Sequence, residues 1–116
     1  MINNVTLVGR LTKDPEIKET SGGVKVGAFT LAVDRNYKNS NDERETDFIP
    51  VVVWRKTAEI CEKYLKKGNM CGVVGSVQTR SYEAQDGTKR YVTEILANEV
   101  QFFSSGNRES VEADAE

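Results

Sequence analysis

The chain of 116 residues contains no histidine, and that absence excludes more chemistry than anything present. Without imidazole there is no Ser-His-Asp triad, no Cys-His nucleophile pair and no ordinary zinc set. Two cysteines, Cys61 and Cys71, make half of a four-cysteine metal site and too few links for a disulfide scaffold, so they read as reduced packing residues. No apolar run approaches the ~18 residues of a membrane helix, and Met1-Ile2-Asn3-Asn4 lacks the basic start and apolar stretch of a secretion signal, so the expectation is a cytoplasmic protein. The glycine-rich segment from Gly22 to Gly27 fits neither dinucleotide nor Walker spacing, and no Gly-Lys-Ser/Thr follows. Acid pairs such as Asp42-Glu43 lie in polar, solvated sequence. No catalytic group, metal set or cofactor site is therefore expected, and the chain does not read as an enzyme.

What is present suits one compact domain, with 38% apolar and 29% charged residues. The formal net charge of -2 is unevenly spread. Residues 104–116 carry one arginine against four acids, whereas residues 1–103 carry 15 basic and 14 acidic side chains. A near-neutral domain over 1–103 and a flexible acidic tail over 104–116 are expected, and local placement of charge must identify partners.

Within 1–103 the apolar pattern has mostly a period of two. Val5, Leu7, Gly9 and Leu11 alternate with polar or outward positions in a first strand, stopped by Asp14-Pro15, and Val26 to Val33 forms a second. Asp34 to Glu45 reads as a polar loop. Phe48 to Trp54 gives a third strand, with Ile49, Val51 and Val53 on one face, Phe48, Val52 and Trp54 on the other, and an interruption at Pro50. Over residues 56–67 the period becomes helical, through Ala58, Cys61 and Leu65 with Ile60 and Tyr64; Lys66-Lys67 and Gly68 are expected to close the helix. Cys71 to Tyr82 is a fourth strand kinked at Gly72 and Gly75, Ala84 to Thr88 a hairpin with Asp-Gly at its tip, and Arg90 to Phe103 a fifth strand. An all-β fold with one helix between strands three and four matches the OB-fold, a five-stranded Greek-key barrel. A short split sandwich is the rival.

Phe29, Phe102 and Phe103 lie in apolar runs and belong to the core or an interface, whereas Tyr37 and Tyr82 sit in polar surroundings. Trp54 fits a core or an exposed position equally well. Arg10, Lys13, Arg35, Lys38, Arg55, Lys56, Arg80 and Arg90 all fall within or beside strands near these rings. Rings interleaved with cations are what an unpaired nucleic-acid strand needs, because bases stack on rings while cations follow the phosphates.

At this point the residues resemble the bacterial single-stranded DNA-binding protein family. The resemblance rests on NVTLVGRLTKDP from Asn4 to Pro15, FTLAV from Phe29, TDF from Thr46 and VVWRKTAE from Val52. YLKKG from Tyr64, GSVQTRSY from Gly75 and YVTE from Tyr91 continue it. It implies an OB-fold assembling as a homotetramer that coats and protects single-stranded DNA in replication, repair and recombination, in the cytoplasm at the nucleoid. Position by position it assigns base stacking to Tyr37, Phe48, Trp54 and Tyr82, and phosphate contacts near Lys56, Lys67 and Arg80. Two of the stacking positions, Tyr37 and Tyr82, hold tyrosine where well-known members have tryptophan. Pro50 replaces a residue that is often polar or basic in the family. The C-terminal Glu-Ala-Asp-Ala-Glu lacks the Ile-Pro-Phe tip of long members, so weakened recruitment of replication and repair proteins is expected, as in a transformation paralogue or a phage or plasmid version. The alternative is an oligomeric accessory module of a primosome with the same fold, acting mainly through protein contacts.

Overall fold

The computed structural model describes residues 1–38 and 40–103, with the Tyr37 side chain outside the described set; the expected acidic tail, 104–116, also lies outside the described residues. Strands β1 (Val5–Leu11), β2 (Glu16–Glu19), β3 (Lys25–Lys38), β4 (Arg44–Trp54), β5 (Met70–Glu83) and β6 (Lys89–Phe103) surround one helix, α1 (Arg55–Tyr64). The pairing order is β1-β5-β6-β4-β3-β2. An added β1–β3 contact, Arg10 opposite Ala32 and Leu11 opposite Leu31, closes five of these strands into a barrel. That closure rules out the split sandwich. All pairings are antiparallel except β4–β6, where Val51 and Val52 lie parallel to Ile95 and Leu96.

Alternation decides what the barrel encloses. Leu31, Val51, Val53 and Val73 are fully buried, joined by Leu11, Phe29, Ile95 and Phe102. The helix sends Ala58 and Cys61 into the same core, followed by Leu65, and lies against β2, β3, β4 and β6 at one end of the barrel. Its Ile60 and Tyr64, part of the expected apolar stripe, remain partly exposed. Two glycines permit the close crossings. A Cβ at Gly9 would run into the Ala32 carbonyl where β1 meets β3, and one at Gly75 would run into the Leu96 carbonyl where β5 shifts register.

Four sequence expectations need correction. A short β2, absent from the five-strand reading, pairs Glu16 to Glu19 with β3; its mostly polar side chains gave no alternation to detect. The loop expected over 34–45 shrinks, because β3 runs to Lys38 and β4 starts at Arg44. Arg35 clasps Asp47 and Glu45, and Thr46 donates to Asp34, so polar pairs rather than burial hold this arm together. Pro50 does not interrupt β4: it lies opposite Thr30, and β4 gains its second neighbour, β6, only from Val51 onward. Finally, α1 ends at Tyr64. Leu65 N–H still reaches the Cys61 carbonyl, but Lys66 N–H is taken by Asn69 Oδ1 and Lys67 N–H by Asp14 Oδ1. Those competing acceptors end the helix before Gly68, whose φ of 86° belongs to the turn into β5.

Candidate nucleic-acid interface

Because Val51 and Val53 of β4 point inward, Phe48, Pro50, Val52 and Trp54 point outward. Phe48 is 65% exposed and Trp54 43%, which resolves the position the sequence left open. At a strand rise of about 3.4 Å per residue, the two rings stand roughly 20 Å apart on one face. Across the pairing with β3 they oppose Ala32 and Val26, while Thr30 and Ala28 oppose Pro50 and Val52. Small residues thus form a low floor between two raised rings.

Arg10 extends the same face, since it opposes Ala32, which opposes Phe48. Its Nη1 donates to the Gly68 carbonyl at 3.1 Å, placing it beside the turn that carries Lys67. A groove of about 240 Å³ runs over the floor of Ala28, Thr30, Pro50 and Val52, lined also by Lys13, Asp14 and Glu16 and by Arg80, Val92 and Glu94. In the β5–β6 ribbon, Arg80 opposes Val92 and Tyr82 opposes Arg90. Arg80, Tyr82 and Arg90 therefore share the ribbon face that turns toward the groove. Arg90 donates to Thr88 Oγ1 and approaches Asp86 at 3.6 Å. Two hydrogen bonds from Thr88, through its hydroxyl and its backbone N–H, hold the Asp86 carboxyl below its ordinary range.

Arg55 and Lys56 follow Trp54 directly as the first residues of α1, both exposed. Arg55 adopts a left-handed φ of 55°, a conformation that non-glycine residues adopt only at a cost. Among the described residues no ion pair engages Lys13, Arg55, Lys56 or Lys67.

Two predicted cations are set apart from this group. Arg35 commits Nε and Nη2 to Asp47 and Nη1 to Glu45, and it lines a different hollow with Thr6, Val8 and Asp34. Its guanidinium depresses the Asp47 carboxyl below the usual carboxylate range. Lys38 sits 3.7 Å from Asp42 at the far end of the arm. Tyr37 lies in β3, its side chain outside the described residues.

The sequence reading missed Tyr91 and Glu94. Tyr91, opposite Ser81, is 75% exposed on the ribbon face away from Tyr82. Its position one residue from Arg90 in a two-sided ribbon was the available signal. Glu94 had none, since a carboxylate in an alternating strand reads as solvated. Among the described residues no three metal-binding side chains come together.

A closed Greek-key barrel whose outer face carries exposed rings, a small-residue floor and flanking cations has the architecture of oligonucleotide-binding barrels. The model of the single-strand binding protein family matches residues 2–103. The chain belongs to that family. It is 58% identical over 107 residues to single-stranded DNA-binding protein 3 of Clostridium acetobutylicum, a match covering 91% of this chain and 74% of that protein. It is 57% identical to the single-stranded DNA-binding protein of Bacillus cereus, covering 92% of this chain and 63% of the relative. The solved Plasmodium falciparum SSB complex with ssDNA superposes with a TM-score of 0.81 at 30% identity, over 90% of this chain and 97% of that one. These relatives are named for binding, not for catalysis.

Proposed function

We propose that the chain binds single-stranded DNA with little regard to sequence, coating and protecting it in replication, repair and recombination, in the cytoplasm at the nucleoid. Bases stack on Phe48, Trp54 and Tyr82, and on Tyr37 by its sequence position. Phosphates are met by Arg10, Arg55, Lys56, Lys67, Arg80 and Arg90. The observation that carries this reading is the pair of exposed rings, Phe48 and Trp54, raised above Ala28 and Thr30 and flanked by cations. The floor offers little to read a base edge, and stacking serves every base alike. Arg35, with Nε and both Nη groups committed to Asp47 and Glu45, and Lys38, at the far end of the β3–β4 arm, contribute least.

The working unit is residues 1–103, with 104–116 as an appended acidic tail, and several copies assemble, four by family likeness. An apolar outer face supports assembly: Val8 is exposed on β1, with Val74, Met70 and Phe103 half-buried beside it, and Gly72 leaves the Phe103 ring uncovered by a side chain.

Anisotropy of a labelled oligo(dT), with unlabelled duplex as competitor, tests the DNA reading. Binding that falls with salt and resists duplex competition is expected, because neutralised phosphates release counterions. Equal affinity for duplex, or none for oligo(dT) at low salt, refutes it.

A further inference from the structure

Glu94 is the one charged side chain among the described residues that is buried, at 7% exposure. It lies on β6, diagonal to Arg80 on β5: Arg80 opposes Val92 and Gln78 opposes Glu94. Such diagonal neighbours are within reach of long side chains on a common face. Glu94 Oε1 accepts from Arg80 Nε at 2.6 Å, and both residues line the groove over Thr30, Pro50 and Val52. A carboxylate withdrawn from water requires a charged partner, and Arg80 supplies it.

The bond uses only one part of the guanidinium. The Arg80 side chain remains 59% exposed, and among the described residues nothing engages its Nη groups. A guanidinium is planar and presents its donors in a rigid fork, so fixing Nε fixes the direction of both Nη groups. A flexible surface arginine lacks that constraint.

We infer that Glu94 is a positioning residue: it anchors Arg80 through Nε so that the paired Nη donors stay presented at the groove for a phosphate of the bound strand. This rests on the proposed phosphate contact by Arg80. It also carries a sign opposite to simple electrostatics, because removing a negative charge from a DNA-binding face ordinarily strengthens binding, whereas losing the anchor weakens it.

Oligo(dT) affinity is measured across a salt series for the wild type, Arg80→Ala, Glu94→Leu, Glu94→Gln and the Arg80→Ala/Glu94→Leu double variant, with melting curves to verify folding. Arg80→Ala is expected to weaken binding about tenfold, the scale of one charge-assisted hydrogen-bonding group. Its salt slope should drop by about 0.7, the value for one phosphate contact on a single strand. Glu94→Leu should reproduce both changes, and the double variant should be no weaker than Arg80→Ala. Glu94→Gln keeps an oxygen acceptor for Nε and should hold the wild-type salt slope, with affinity within about threefold. Tighter binding by Glu94→Leu, additive losses in the double variant, or a Glu94→Gln slope as low as that of Arg80→Ala would overturn the inference. If Glu94→Leu does not fold, the Glu94→Gln slope decides alone. A neutral Arg80→Ala removes the phosphate contact and this inference with it, while a wild type that ignores oligo(dT) removes the proposed function itself.

Discussion

An indole at the end of a strand, followed at once by two cations, is a costly arrangement if it only has to fold. Trp54 leaves almost half its surface in water, and Arg55 takes a left-handed backbone that opposes its own Cβ. Both make sense if bases and phosphates arrive there. Substituting Phe48 or Trp54 by alanine should therefore cost roughly 1–3 kcal/mol of single-strand affinity, the worth of one stacked base. Because both rings are exposed, melting should move little, whereas Leu31→Ala, fully buried, should cost about 2–5 kcal/mol of stability. Arg55→Gly should shift the two properties oppositely: stability rises by about 1 kcal/mol as the strained φ is relieved, and the salt slope of binding falls by about 0.7. Melting curves and salt-dependent titrations on the same samples check both signs.

At the scale of elements, the barrel supplies a rigid face while two polar appendages, the β3–β4 arm and the β5–β6 ribbon, extend from it. Their order depends on ionised carboxylates. Asp47, lowered by Arg35, and Asp86, lowered by Thr88, each add stability that is complete well above the ordinary value of 3.8 and is lost as pH falls through their lower native values. Hydrogen exchange between pH 6 and pH 3 should show arm and ribbon tip loosening at the acid end before β1 and the core of β4; simultaneous loss everywhere would contradict this. The same contrast explains what was legible in the sequence. Alternation separated the two faces of β4, with Val51 and Val53 together on one, and the change of period located α1, because both patterns record burial. The arm, β2 and the true end of α1 were hidden, since they are set by polar pairing: Arg35 with Asp47, Asn69 Oδ1 with Lys66 N–H, Asp14 with Lys67 N–H. At the site, Tyr82 could be read as exposed from its neighbours, while Phe48 was assigned only through the family resemblance. Trp54 could not, and Glu94 was invisible because its burial depends on a diagonal partner in another strand.

For the whole molecule, overall charge says little, since a slightly acidic chain places Lys13 and Arg80 at the groove, Arg10 on the outer face opposite Ala32, and Arg55 and Lys56 directly after Trp54. The apolar patch of Val8, Val74 and Phe103 lies on the outer face of β1, β5 and β6, bordered by Arg10 opposite Met70, while Phe48 and Trp54 stand on β4 outside it. Sedimentation should give the same oligomer for the wild type and Trp54→Ala, and a smaller species for Val8→Glu, which puts a charge on that patch. The central claim is that exposed rings on β4 take the faces of unpaired bases. Trp54 is the sole tryptophan, so its emission reports on that contact directly. Titrating poly(dT) at low salt should quench this emission to a saturable end point, and added salt should restore it. Emission that stays constant while the DNA is demonstrably bound would place the strand elsewhere on the molecule and contradict the account.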